Sequence, residues 1–394
     1  MFRGGYGITQ YMEGTGANQR LTLNTPFFFE SQISYDRTSG PGTFATGFEG
    51  LQALDRPSGQ LRAWDPDIRP QLTHQWNLFG EYLLGSRSSI NIGYVGSDSK
   101  YIIMTIDANQ PLPGTGPAST WLPAQQRRPL YPFNPDITNM IETTSRGIAN
   151  YHALQTTFKQ RLWHGMDFNA NYTWSKAMTN SRGFFGSGGV AQGTSTSTPV
   201  NSRDLDSNYG PAFFDATHLF SVAGNYDLPF GKDRHFGNNW NSALDAVAGG
   251  WSVQFGVIAH SGYPITVLDS SSPSLQASRS TERPDRIGSG EVENPTLERW
   301  IDRAAFRSAP AGEFGDSGIG ILRAPSFWNA DLTVGKRLAT VGTHYVMIRG
   351  EFFNVFNHPN FGPPQANIQS TAFGTITSTV NDPRVVQLVL KYVF

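Results

Sequence analysis

The stretch DLDSNYGPAFFD, residues 204–215, sets oxygen donors at a metal-binding spacing. Asp204, Asp206 and Asn208 occupy the first, third and fifth places of a calcium loop, and Asp215 falls at the twelfth. The required glycine is displaced by one, to Gly210, and aspartate is a weaker closing ligand than bidentate glutamate. Calcium is therefore a weak expectation here, against an aspartate-rich structural turn. The 8 histidines invite an enzymatic reading, yet no H-E-x-x-H, G-x-S-x-G or P-loop pattern accompanies them. His152, His218, His344 and His358 each lack an obvious serine or carboxylate partner in the sequence. No catalytic residue and no cofactor is expected. Cysteine is absent, which removes thiolate metal sites, a cysteine nucleophile and any disulfide framework.

The elements that must position these residues are strands. In MDFNANYTWS, Met166, Phe168, Ala170, Tyr172 and Trp174 alternate with Asp167, Asn169, Asn171, Thr173 and Ser175. That period of two describes a strand with one apolar and one polar face. The same pattern recurs in TTFKQRL, HLFSVAGNYDLPF, GWSVQFGVIAH and WNADLTVGKRL. It also closes the chain, where Val386, Leu388, Leu390, Tyr392 and Phe394 alternate with Val385, Gln387, Val389, Lys391 and Val393. About eleven strands are expected, near 2–12, 26–36, 71–84, 88–97, 148–162, 165–178, 215–229, 250–260, 326–338, 343–356 and 384–394.

Tight connections at Gly85–Arg87, Trp163–Gly165 and about Ala339–Gly342 alternate with long ones at about 37–70, 98–147, 179–214, 261–325 and 357–383. In a meander, alternate connections lie at one end, so the long loops gather opposite the short turns. The stretch 230–249 is the exception, with a helical turn expected around Ala243–Ala248. This asymmetry belongs to outer-membrane barrels. Trp163, Trp174, Trp251, Trp328 and Tyr392 near the ends of apolar faces agree with it. A β-sandwich or propeller core is the competing reading, and the polar faces and loop asymmetry count against it. Asp331 lies on the polar face of its strand; Arg349 and Glu351 share a face opposite Val346, Ile348 and Phe352. In a barrel these charges face the lumen, as a plug contact or as an internal pair that spares both groups a burial cost.

Composition agrees. Charged residues are 15% and aromatics 13%, with 42 glycines and 25 prolines, a charge-poor and turn-rich chain. No run approaches the roughly 18 apolar residues of a transmembrane helix. A net charge of −1 gives no overall electrostatic case for a nucleic-acid partner or for binding anionic lipid. The N-terminus, MFRGGYGITQYM, lacks the pattern of a signal peptide. Eleven antiparallel strands cannot close on themselves, so part of a larger barrel is expected.

Several segments resemble a known family. GIANYHALQTTFKQRLWHGMDFNANYTWSKAMTNS, YGPAFFDATHLFSVAGNYDLPFGK, AGGWSVQFGVIAHSGYPITV, EFGDSGIGILRAPSFWNADLTVGKR and RGEFFNVFNHPNFGPP are similar to TonB-dependent receptor-like proteins of the Oar-like group. WNLFGEYLLGSRSSINIGYVGS resembles an earlier hairpin of the same barrel, and the likeness runs over roughly residues 65–394. The resemblance implies a 22-stranded barrel in a Gram-negative outer membrane. Residues 1–394 would be its C-terminal part, without the plug, the carboxypeptidase-regulatory-like domain or the TonB box. It implies that the aspartate-rich turn before Asp215 is structural. It also implies that the last strand seals the barrel, with Leu390, Tyr392 and Phe394 resembling the signal read by the barrel-assembly machinery and lipid covering their face. Function follows as uptake of a scarce solute, energised by TonB through the plug. A surface adhesion barrel and a passive pore are the alternatives.

Overall fold

The structure, a computed structural model, describes residues 1–12, 19–24, 28, 59–181, 198–232, 234–276, 280–341 and 344–394. Ten long strands run through it in sequence order: β1 (Phe2–Tyr11), β2 (Gln71–Leu84), β3 (Ser88–Asp107), β4 (Ile137–Trp163), β5 (Met166–Thr179), β6 (His218–Asp227), β7 (Trp251–His260), β8 (Phe327–Val341), β9 (His344–Phe353) and β10 (Val385–Val393). Each pairs antiparallel with the next, so they form one continuous meander. Among the described residues no helix is long and apolar enough to cross a membrane.

The strand expected at 26–36 lies outside the described residues. Strands β1 and β2 pair directly, from Phe2 opposite Gly80 to Tyr11 opposite Gln71. The parity argument counted the strand at 26–36, so the described sheet does not test it. With ten strands the two outer ones run antiparallel. Even so, neither the free edge of β1 nor that of β10 is paired among the described residues.

The loop expected at 98–147 is also corrected, since β3 runs on to Asp107 and β4 starts at Ile137. The register slips between Ser99 and Met104, and Tyr101 adopts φ 61°. Such bulges break the period of two, which hides a strand from a reading based on alternation. A short strand, Gly59–Trp64, pairs in parallel with this extension.

The turns are local consequences of sequence. His164 and Gly165 take φ 48° and 85° between paired Trp163 and Met166. Two left-handed residues make the hairpin turn whose twist matches the strands it joins. Between β6 and β7 lies a single helix, α1 (Ser242–Ala248), as expected. Asn241 Oδ1 caps it by accepting from the Leu244 amide at 2.8 Å. Its C-terminal carbonyls, of Asp245 and Gly249, accept from the Lys336 ammonium, where a cation also suits the helix dipole.

Candidate functional site

The sheet separates two chemistries. On one face the down-running strands β2, β4, β6 and β8 carry the alternate residues from His74 to Tyr82, His152 to Gln160, His218 to Tyr226 and Trp328 to Lys336. Their interiors are Trp76, Leu78 and Gly80; Leu154, Thr156 and Phe158; Phe220, Val222 and Gly224; Ala330, Leu332 and Val334. On β10, Val386, Leu388, Leu390 and Tyr392 continue the same face, with Leu388 81% exposed. Water does not tolerate so continuous an apolar surface on a monomer.

The register fixes how this face is tilted. His74 lies opposite Asp98, which lies opposite Asn150, so His152 is two residues beyond that line. His152 lies opposite Lys176 while His218 lies opposite Trp174, two residues further again. Trp328 is in line with Ala259 and Phe220, another two. At the other end Tyr82, Gln160, Tyr226, Lys336 and Tyr392 step by the same two residues on every second strand. One residue per strand is a shift of about 3.3 Å for every 4.8 Å of sheet, or a tilt of about 35°. Barrel strands tilt by about 35–45°. Eight rises at that tilt give a band about 22 Å tall, close to the ~25 Å apolar band of outer-membrane barrels.

Paired tyrosines and histidines mark the band edges. Tyr6, Tyr94 and Tyr172 place their hydroxyls 2.6, 2.7 and 2.8 Å from Nδ1 of His74, His152 and His218, each diagonally across to the next strand. Tyr392 pairs in the same way with His344 at the turn-side edge, at 2.9 Å. The sequence reading missed these pairs because each joins residues on different strands.

The opposite face is polar. Thr73 and Ser99 share a hydrogen bond of 2.9 Å, and Asn171 links Thr157 to Ser221. Arg349 and Glu351 form an ion pair of 2.7 Å on this face, and Arg349 Nε is buried without a partner. Asp331 sits on the same face but apart from that pair, accepting from Asn329 Nδ2 and the Asn354 amide, each at 2.9 Å.

At the loop end the long connections pack on one another. Ile265, Val267, Ile301, Phe306, Leu322 and Ile368 form a buried core there. Buried polar groups tie the loops together. Arg323 donates to Asp215 Oδ2 at 2.6 Å, with the aspartate fully buried. Arg283 donates to Asn208 Oδ1 and to the Ser207 carbonyl, and burial pulls its pKa down. Arg203 donates to the Gln110 and Pro111 carbonyls. Glu282 accepts from the amide and hydroxyl of Ser274. Burial raises its carboxyl more than those bonds lower it.

Three of the four calcium candidates have other partners in this arrangement. Asp215 is engaged by Arg323 and by the Ala177 amide, Asn208 by Arg283, and Asp204 Oδ1 by the Ser207 amide. Asp206 opens a short 3-10 turn. Among the described residues no group of three or more His, Asp or Glu side chains could hold a metal ion. Leu390, Tyr392 and Phe394 lie together at the turn-side end of the apolar face, with Phe394 86% exposed.

A family model described as an outer membrane beta barrel domain matches residues 1–387. No curated protein sequence matches. Among solved structures the chain is similar to the outer membrane transporter YddB from Escherichia coli, at 9% identity and a TM-score of 0.44, covering 86% of this chain and 34% of that one. It is also similar to the ferric-catecholate import receptor Fiu from E. coli K12, at 11% identity and 0.39, covering 98% and 32%. A third is the pyoverdine receptor FpvA from Pseudomonas aeruginosa PAO1, at 14% identity and 0.38, covering 83% and 30%. The chain spans about a third of the length of these structures.

Proposed function

This chain belongs to the outer-membrane β-barrel family, and on that premise we propose that it is the C-terminal part of a TonB-dependent transporter barrel of the Oar-like group. It is a protein of the Gram-negative outer membrane. The observation that carries the reading is the pair of edges on β1 and β10 left unpaired among the described residues, which flank an apolar face of membrane height. Unpaired backbone in hydrocarbon costs several kcal/mol per group, so both edges must be paired in the membrane. A wall of about 22 strands meets that need and leaves a lumen wide enough for a plug. Asp331, Arg349 and Glu351 then face that lumen, Leu390, Tyr392 and Phe394 present the assembly signal, and the loop cap meets the solute. TonB acts on the plug and supplies the energy.

The test is growth on iron chelates, oligosaccharides or peptides as limiting nutrients. Strains lacking this gene, and strains lacking TonB, lose growth on the same solute if the reading holds. Growth of both strains on every solute contradicts it.

The packed loop core around Ile265 and Phe306 favours a second reading, a surface barrel whose loops hold a partner without transport. Loss of surface binding on trimming 261–326, with nutrient uptake intact, selects that reading.

A further inference from the structure

A shallow hollow lies on the apolar face at the loop-side edge of the band, lined by Tyr6, His74, Trp76, Asp98, Asn150 and His152. Its floor exists because β3 has a glycine there. A Cβ on Gly96 would stand 2.4 Å from Trp76 Nε1, so only glycine lets the indole lie flat across the strand. Tyr6 and Tyr94 hold the two imidazoles by Nδ1. When the tyrosine hydroxyl donates, Nδ1 accepts and the ring proton sits on Nε2. Each histidine then keeps an Nε2–H to donate.

The charges at this edge are unequal. Lys176 lies directly opposite His152 and is exposed, with no partner among the described residues. Lys100 stands 4.0 Å from Asp98, the carboxylate in the hollow, and offsets its charge. Asn150 donates to the Tyr209 hydroxyl and is already engaged. With both tyrosine hydroxyls donating, two imidazole N–H groups and one ammonium without a partner among the described residues remain, a donor set for an anion. Immediately toward the turn side, Leu78, Tyr94 and Leu154 are exposed and apolar. The ligand that satisfies both parts has an anionic head and acyl chains.

We propose that this hollow, formed by His74, Trp76 and His152 beside Lys176, holds the phosphate-bearing headgroup of a membrane lipid, with its chains along Leu78 and Leu154. The proposal rests on the outer-membrane placement and not on transport, so either can fail alone. The turn-side pair supplies an internal control. His344 is held by Tyr392, but Lys336, the lysine on that face, is already bound to the carbonyls ending α1.

The experiment uses the full-length protein extracted from outer membranes in neutral detergent, with 15N-labelled histidine. Titration with dioctanoyl phosphatidic acid moves the His74 and His152 signals saturably and leaves that of His344 in place. Lys176→Gln weakens this binding about five-fold, the worth of one lysine at a lipid surface. Equal movement with dioctanoyl phosphatidylcholine, or unchanged affinity in Lys176→Gln, overturns the proposal. Equal affinity for inorganic phosphate overturns it as well, since the site then reads a free anion rather than a lipid.

Discussion

Tyr392 places its hydroxyl 2.9 Å from His344 Nδ1, and Tyr172 stands in the same diagonal relation to His218 at the opposite edge of the band. One local motif thus marks both edges of the apolar face. Its positions follow the tilt of the sheet rather than a line across it.

The terminal strand carries the first prediction. Leu390 and Tyr392 are among the most exposed apolar residues, and burying each such side chain in hydrocarbon is worth roughly 1.5–3 kcal/mol. Leu390→Asp lowers the amount of protein in outer-membrane fractions several-fold, whereas Gln387→Asp on the polar face does not. Quantitative blotting of separated membranes reads the difference.

Gly93 gives a second. A Cβ there would lie 2.0 Å from the Phe79 ring, on the polar face. Gly93→Ala forces that ring from its place and destabilises the sheet by about 1–3 kcal/mol. Loss of heat-resistant electrophoretic mobility at a lower temperature than the unaltered protein is the expected reading.

The loop cap depends on the Arg323–Asp215 pair. Removing one partner of a buried ion pair costs about 3–5 kcal/mol, because the other charge is left uncompensated. Arg323 is 37% exposed at its side chain, so the lower end applies. Arg323→Met opens the cap to proteolysis within 261–326 while the strands stay protected. Cleavage mapped by mass spectrometry checks both halves of that statement.

Glu282 predicts a pH dependence. Burial, with a smaller contribution from the nearby Asp269 charge, raises its carboxyl above the ordinary glutamate value despite the Ser274 bonds. The folded cap therefore binds this proton more tightly than the unfolded chain does. Its contribution is fully present below the unfolded value and is lost as pH rises through the raised one. Amide-exchange protection around Ser274, corrected for intrinsic rates, falls over that interval, and the fall is absent in Glu282→Gln.

The strands were legible where alternation is unbroken, as in Met166–Ser175, because a period of two is a local property. The outer ends of β3 and β4 were not, since a bulge near Tyr101 shifts the register and ends the alternation. The helix at Ser242–Ala248 was legible, but its hold on Lys336 was not. Asp204, Asp206, Asn208 and Asp215 fit a metal pattern in one dimension, yet Arg323 and Arg283 arrive from far along the chain and take two of the four. The tyrosine–histidine pairs, joined across 46 to 68 residues, have no signature within either strand.

The central claim is that the face of Leu78, Leu154, Val222 and Leu332 meets hydrocarbon, in a band that steps by one residue per strand. The chain has 0 cysteines, so single cysteines can be introduced without a background. Nitroxides attached at these four positions, and at Asn77, Ser221 and Thr333 on the other face, report collision with oxygen and with a water-soluble nickel chelate. In native membranes the first set favours oxygen and the second the chelate, and the crossover on β2, β4 and β6 falls at His74, His152 and His218. Equal accessibility of both faces, or a crossover on one register line for all strands, contradicts the account.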